Sequence, residues 1–205
     1  MHLKQSHTQP VPEPIAPCDG LERLRAFRAA PSAGRVFLHP TGHPSRPTGF
    51  CPCDGAWPRR LLFYAKAWVL LTALRSPFNR LKIAVLRHCG AQIGRNVHIA
   101  ADVWIDPLFP ELLTIEDEVC IGVGVRIALH EFGRDEFRAG RVILRRRALV
   151  GGFALLRSGI EVGENANIAP GAVVASDVPA GRLALGNPAR LFPLPAPRPE
   201  ERGHQ

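Results

Sequence analysis

Two hundred and five residues at 22.4 kDa make one domain of ordinary size with length to spare, which excludes a large multidomain assembly. The chain is 46% apolar with a mean hydropathy of zero, a globular balance, yet its 20 prolines and 19 glycines demand dense turn chemistry. Its net charge of +8 is uneven: residues 1–90 carry 13 basic against 4 acidic side chains and residues 91–192 carry 11 against 12, so the basicity belongs to the N-terminal part.

From Met1 to about Arg60 the chain has prolines at 10, 12, 14, 17, 31, 40, 44, 47, 52 and 58, polar residues between them, and no apolar periodicity. Residues 1–60 therefore read as a disordered Pro/Arg-rich arm. The start lacks the apolar run and small-residue cleavage site of a secretory signal. The five cysteines, odd in number and scattered, predict a reducing, cytoplasmic setting. Cys51-Pro-Cys53 has no second pair beside it, so no metal site is expected there. The arm's prolines, in place of interleaved aromatics, argue against nucleic-acid binding.

Leu61 to Leu74 (LLFYAKAWVLLTAL) is apolar almost all round and predicts a helix, too short for the ~20 residues a bilayer span requires. Leu81 to His88 continues it as a second helical piece beyond Pro77, giving a helical segment over 61–89. Basic residues at 59, 60, 75, 80, 82 and 87 flank these pieces. They suit packing on the core first, and second a peripheral contact with the inner face of a membrane.

From Ile93 onward aliphatic residues recur every six positions. Ile93, Ile99 and Ile105 form one run; Ile115, Ile121 and Ile127 a second; Leu144, Val150, Leu156, Val162, Ile168 and Val174 a third. Four residues later the chain is small or β-branched nearly throughout, as at Val97, Val125, Ala154 and Ala172. Glycine often follows the aliphatic residue, as at Gly94, Gly122, Gly151 and Gly163. A period of six fits neither a 3.6-residue helix nor an alternating strand; each unit must hold a short strand and then a corner. Three such faces close a triangular coil of 18 residues, and twelve units make about four coils, each buried against the next.

The period breaks twice. Ile105 to Ile115 spans ten residues, so a few residues around Pro107-Leu-Phe-Pro110 bulge outward. Ile127 to Leu144 spans seventeen, so His130 to Gly140 form an inserted loop.

These repeats, with Ile127-Ala-Leu-His130 leading into the long loop, Val174-Ala-Ser-Asp-Val-Pro179, and Gly186-Asn-Pro-Ala-Arg190 near the end, resemble the hexapeptide-repeat acyltransferases. Within them the chain is similar to the branch of maltose, galactoside and xenobiotic O-acetyltransferases. The resemblance implies an all-β fold, a left-handed parallel β-helix over 90–192, followed by a flexible tail over 193–205. It implies a homotrimer with active sites between subunits, and acetyl-CoA as co-substrate with no permanently bound cofactor or metal. His130 stands where the family places its general base, which takes a proton from an acceptor hydroxyl attacking the thioester. Glu131 and Asp135 are the two candidates to orient it. By motif matching, Gly152, Pro170, Ala175, Ser176 and Arg190 occupy the family's CoA-contact positions. Gly124 stands where maltose-type relatives often carry an asparagine, and Leu149 where a tryptophan is frequent.

The expected function is CoA-dependent O-acyl transfer, most often acetyl, to a hydroxyl of a sugar, glycan precursor or small molecule. Two other readings stand beside it. A trimeric β-helix scaffold or binding module would leave His130 incidental. A γ-type carbonic anhydrase would require three histidines on adjoining coils, whereas only His98 and His130 lie within the repeats.

Overall fold

The computed structural model describes residues 17–30, 34–40, 57–133 and 136–194. Part of the stretch expected to be disordered is folded. Helix α1 (Pro17–Ala29) and strand β1 (Val36–Pro40) lie within residues 1–60. The reason is tertiary: Leu24, Phe27 and Phe37 are buried in the main core, which supplies the apolar burial the arm cannot generate alone. The remainder of the arm, the Cys51-Pro-Cys53 pair included, lies outside the described residues, as does the tail from residue 195.

Helices α2 (Trp57–Arg75) and α3 (Asn79–His88) follow, separated at Pro77. α3 closes the open end of the solenoid by borrowing backbone groups from the first coil. The Asn79 amide donates to Val97 O at 2.9 Å and its carbonyl oxygen accepts from Ile99 N at 2.9 Å, standing in for a neighbouring strand. Lys82 is 1% exposed and its ammonium donates to Ala100 O at 2.8 Å. Burial holds that ammonium below the ordinary lysine range.

The first coil is β2 (Gln92–Ile93), β3 (His98–Ile99) and β4 (Trp104–Ile105), and the second is β5 (Leu113–Ile115), β6 (Cys120–Ile121) and β7 (Arg126–Ile127). A hairpin of β8 (His130–Phe132) and β9 (Glu136–Gly140) then leaves the solenoid. The third coil is β10 (Val142–Leu144), β11 (Leu149–Val150) and β12 (Leu155–Leu156), and the fourth is β13 (Glu161–Val162), β14 (Asn167–Ile168) and β15 (Val173–Val174). Three parallel sheets result, β2-β5-β10-β13, β3-β6-β11-β14 and β4-β7-β12-β15. Their registers stack the six-residue repeat on itself: Ile93, Ile115, Leu144 and Val162 on one face, Ile99, Ile121, Val150 and Ile168 on the next, Ile105, Ile127, Leu156 and Val174 on the third. Beyond them Val178 bridges to Val162, and β16 (Arg182–Leu185) pairs with β14 before turning back as β17 (Arg190–Pro193).

The corners explain the rest of the pattern. The third residue after the inward aliphatic adopts positive φ at the first two corners of each coil: Asn96, Asp102, Glu118, Gly124, Arg147, Phe153, Asn165 and Gly171, all between 54° and 70°. The residue directly after the aliphatic abuts the coil above; a Cβ on Gly151 would come within 2.6 Å of Pro170 N. The third corner, following β4, β7, β12 and β15, is free of this uniform turn, and both sequence insertions leave from it.

Candidate active site

The two insertions are stacked. β4 and β7 are hydrogen-bonded neighbours with Ile105 opposite Ile127, so the segments that leave after them meet at one corner. The first segment supplies Asp106 and Phe109, the second His130 and the hairpin.

Asp106 is fully buried, and its carboxylate accepts from Leu108 N at 3.0 Å, from Leu129 N at 3.3 Å, and bonds His130 Nδ1. A buried carboxylate next to an imidazole requires a donor there, which assigns the proton of the neutral ring to Nδ1 and leaves Nε2 with a free lone pair. Three phenylalanines wall the ring. Phe109 meets it edge-on at 5.2 Å, Phe132 edge-on at 5.8 Å and Phe137 at 5.9 Å. The His130 side chain keeps 17% of its surface exposed, so the ring can be reached from one side.

Glu131, one of the two expected partners, does not orient His130. Glu131 follows it in β8, and adjacent strand residues point to opposite faces. Its carboxylate instead accepts from Arg157 Nε at 2.8 Å, Ser158 N at 3.0 Å and Ser158 Oγ at 2.9 Å, tying the hairpin to the third coil. Burial pushes the Glu131 carboxyl up, but the bonds from Arg157 and Ser158 more than offset it, and the group sits below its ordinary range. Asp135 lies outside the described residues. Asp106 takes the role, and the six-residue count hid it because it sits one residue past an inward position. The signal was present: both breaks of the period occur at the same corner in successive coils.

The N-terminal elements brace this corner. β1 pairs antiparallel with β9 from Val36 opposite Gly140 to Pro40 opposite Glu136, extending the hairpin into a three-stranded sheet. Arg28 of α1 lies over the Phe109 ring at 5.1 Å and pairs with Glu111. Arg141 holds α1 from below, donating to Phe27 O at 2.5 Å and Ala30 O at 2.9 Å. Arg35 makes a forked pair with Asp177 at 2.9 and 2.6 Å. Side chains from more than 80 residues upstream thus back the aromatic wall of His130.

The other expected site residues stand elsewhere on the chain. Gly152 and Pro170 lie at the corner between the second and third sheets, and Gly152 O accepts from Gly171 N at 2.9 Å. Ala175 and Ser176 are exposed at the same corner as His130 but two coils further along. Arg190 is exposed on β17. One chain therefore does not bring these positions to His130. Gly124 at φ +67° lies under Phe153, whose ring a Cβ would approach to 2.6 Å, which accounts for glycine in place of asparagine. His98 is exposed on β3, whose neighbour is Cys120, on a different face from His130.

No family model matches the chain. Among curated proteins, a serine acetyltransferase of Helicobacter pylori is 33% identical over 135 residues, covering 65% of this chain and 71% of the relative. A Bacillus subtilis protein provisionally named an acetyltransferase, YvoF, is 29% identical over 125 residues, 60% of this chain and 73% of the relative. Among solved structures, the hexapeptide-repeat acetyltransferase VCA0836 of Vibrio cholerae superposes with a TM-score of 0.53 at 18% identity, covering 66% of this chain and 92% of that one; it is also solved with acetyl coenzyme A. A maltose O-acetyltransferase of Clostridium difficile gives 0.52 at 18% identity, covering 67% of this chain and 87% of that one. The structural likenesses show the fold, the left-handed β-helix, and with the sequence relatives they establish that the chain belongs to the hexapeptide-repeat acetyltransferases.

Proposed function

We propose that this protein transfers an acyl group, acetyl first of all, from a coenzyme A thioester to a hydroxyl of a sugar, glycan precursor or small molecule. The observation that carries the reading is the buried Asp106 fixing His130 through Nδ1, with Nε2 left free in an aromatic-walled corner. An alcohol is a weak nucleophile until a positioned base takes its proton in the transition state. His130 Nε2 accepts that proton as the hydroxyl oxygen bonds the thioester carbonyl carbon. The ionised Asp106 beside Nδ1 stabilises the imidazolium that forms. The tetrahedral intermediate collapses with cleavage of the C–S bond, and the imidazolium returns the proton to the departing thiolate. No covalent enzyme intermediate is needed.

The donor assignment rests on the family and on the acetyl coenzyme A complex of the Vibrio cholerae neighbour. A homotrimer accounts for the separation of the CoA-contact positions from His130. Val123 (44% exposed), Phe153 (69%) and Leu155 (40%) form an apolar strip along the corner that carries Gly152 and Pro170. Covering that strip with the His130 corner of a second chain brings donor site and base together and removes exposed apolar surface.

The test is release of free thiol from acetyl-CoA across a panel of sugars and simple alcohols. Acceptor-dependent release supports the reading. Failure to bind acetyl-CoA at all would move the protein to the scaffold class.

A further inference from the structure

α2 is apolar on both sides, and the solenoid uses only one. Ala67, Leu70, Ala73 and Leu74 are buried against the core. On the opposite side Trp57 is 75% exposed, Leu61 63% and Trp68 70%, and these recur with Tyr64 at the i, i+4, i+7, i+11 spacing that lines one stripe of a helix. Phe78 (70%) and Leu81 (46%) extend the apolar surface past the α2–α3 turn. A helix that is apolar all round is ordinarily covered on every side.

We propose that this outer face of α2, with Phe78 and Leu81, rests on an anionic membrane surface. Charge selects the occupant. Between Asp54 and Asp102 the sequence has no acidic residue, while Arg75, in line with the Trp57 stripe of α2, and Arg80 beside Leu81 are exposed. Two copies of such a face would repel each other, whereas acidic headgroups complement it. Tryptophan beside cations is the composition of a helix lying in the headgroup layer, where the indole ring sits between wet and apolar zones. Among the described residues no helix is long and apolar enough to cross a membrane, so α2 lies on the surface instead of spanning it. α2 packs against β4, the strand that leads into Asp106, so the docking face and the His130 corner share the same end of the solenoid. A membrane-borne acceptor would then meet the site without leaving its bilayer.

The experiment is co-sedimentation of the full chain with vesicles of phosphatidylcholine alone and of phosphatidylcholine with about one third phosphatidylglycerol. It is read without turnover, so it is independent of the proposed reaction. Binding at least about tenfold stronger to the anionic vesicles, weakening as salt is raised, is the expected result. Leu61→Ser with Trp68→Ser, and separately Arg75→Glu with Arg80→Glu, lower the partition at least about tenfold while the melting temperature and sedimentation coefficient stay at wild-type values. Wild type that ignores both vesicle types overturns the proposal. So do variants that bind unchanged. Vesicle-free wild type whose oligomeric state is lost in the Leu61/Trp68 variant would assign the face to a second copy of the chain instead.

Discussion

At the scale of single residues the account rests on a division of labour between two carboxylates only one of which touches the histidine. Asp106→Asn keeps the side-chain shape but presents either an amide or a carbonyl to Nδ1 and removes the charge that stabilises the imidazolium. The expected result is a loss of at least about tenfold in kcat with KM little changed, read from steady-state thiol release. Glu131 acts on stability. Its folded-state pKa lies below the ordinary 4.5, so its ionised form stabilises the fold above that value, and the contribution disappears as pH falls through the lower folded value. Thermal melts should therefore show Glu131→Gln below wild type at neutral pH, with the two curves converging once the pH drops well under 4.5. A gap that persists unchanged into acid would mean that Glu131 contributes by shape and not by charge. The family resemblance singles out His130, since it expects a base at the lip of the long insertion. Asp106 escapes that reading because what selects it is the stacking of β4 on β7, which the sequence records only indirectly, as two period breaks at the same corner of successive coils.

At the scale of elements, the short strands and corners follow from the sequence with little ambiguity. An inward aliphatic every six residues fixes the register of all three sheets, since a slip would turn the stack outward. Where glycine follows the aliphatic, at Gly94, Gly122, Gly151 and Gly163, the next coil fixes it. Gly151→Ala places a methyl within 2.6 Å of Pro170 N, and the backbone of the coil above must move to admit it. A destabilisation of about 1–3 kcal/mol by denaturant titration is expected. The N-terminal elements were the least legible part. α1 and β1 are held by partners far along the chain, Phe109, Glu111, Arg141 and the edge of β9, so nothing local in a proline-rich segment announces them. Their placement makes a functional prediction. Removing residues 1–40 strips β1 from β9 and Arg28 from Phe109, and turnover should fall together with protection of the His130 hairpin in hydrogen exchange. Full activity in the truncated protein would show that the hairpin holds its shape unaided.

At the scale of the whole molecule, one chain is a complete core, and the proposed site draws on more than one copy of it. The interior is filled coil by coil, yet Gly152 and Pro170 lie at a different corner from His130, Ala175 and Ser176 stand two coils away from it, and an apolar strip with Phe153 at its centre is exposed. Phe153→Asp adds a charge to that strip without touching the interior. Sedimentation velocity should report dissociation toward monomer, with activity lost in step. A monomeric, fully active variant would place donor and base within one chain. The most direct trial of the central claim is single-turnover acyl transfer from acetyl-CoA to a productive acceptor, wild type beside His130→Ala. A rate lower by about 10² or more in the variant, with acetyl-CoA affinity preserved, is the predicted result for a lost general base. Equal rates in the two proteins would contradict it and leave the Asp106–His130 pair as a structural device of the corner.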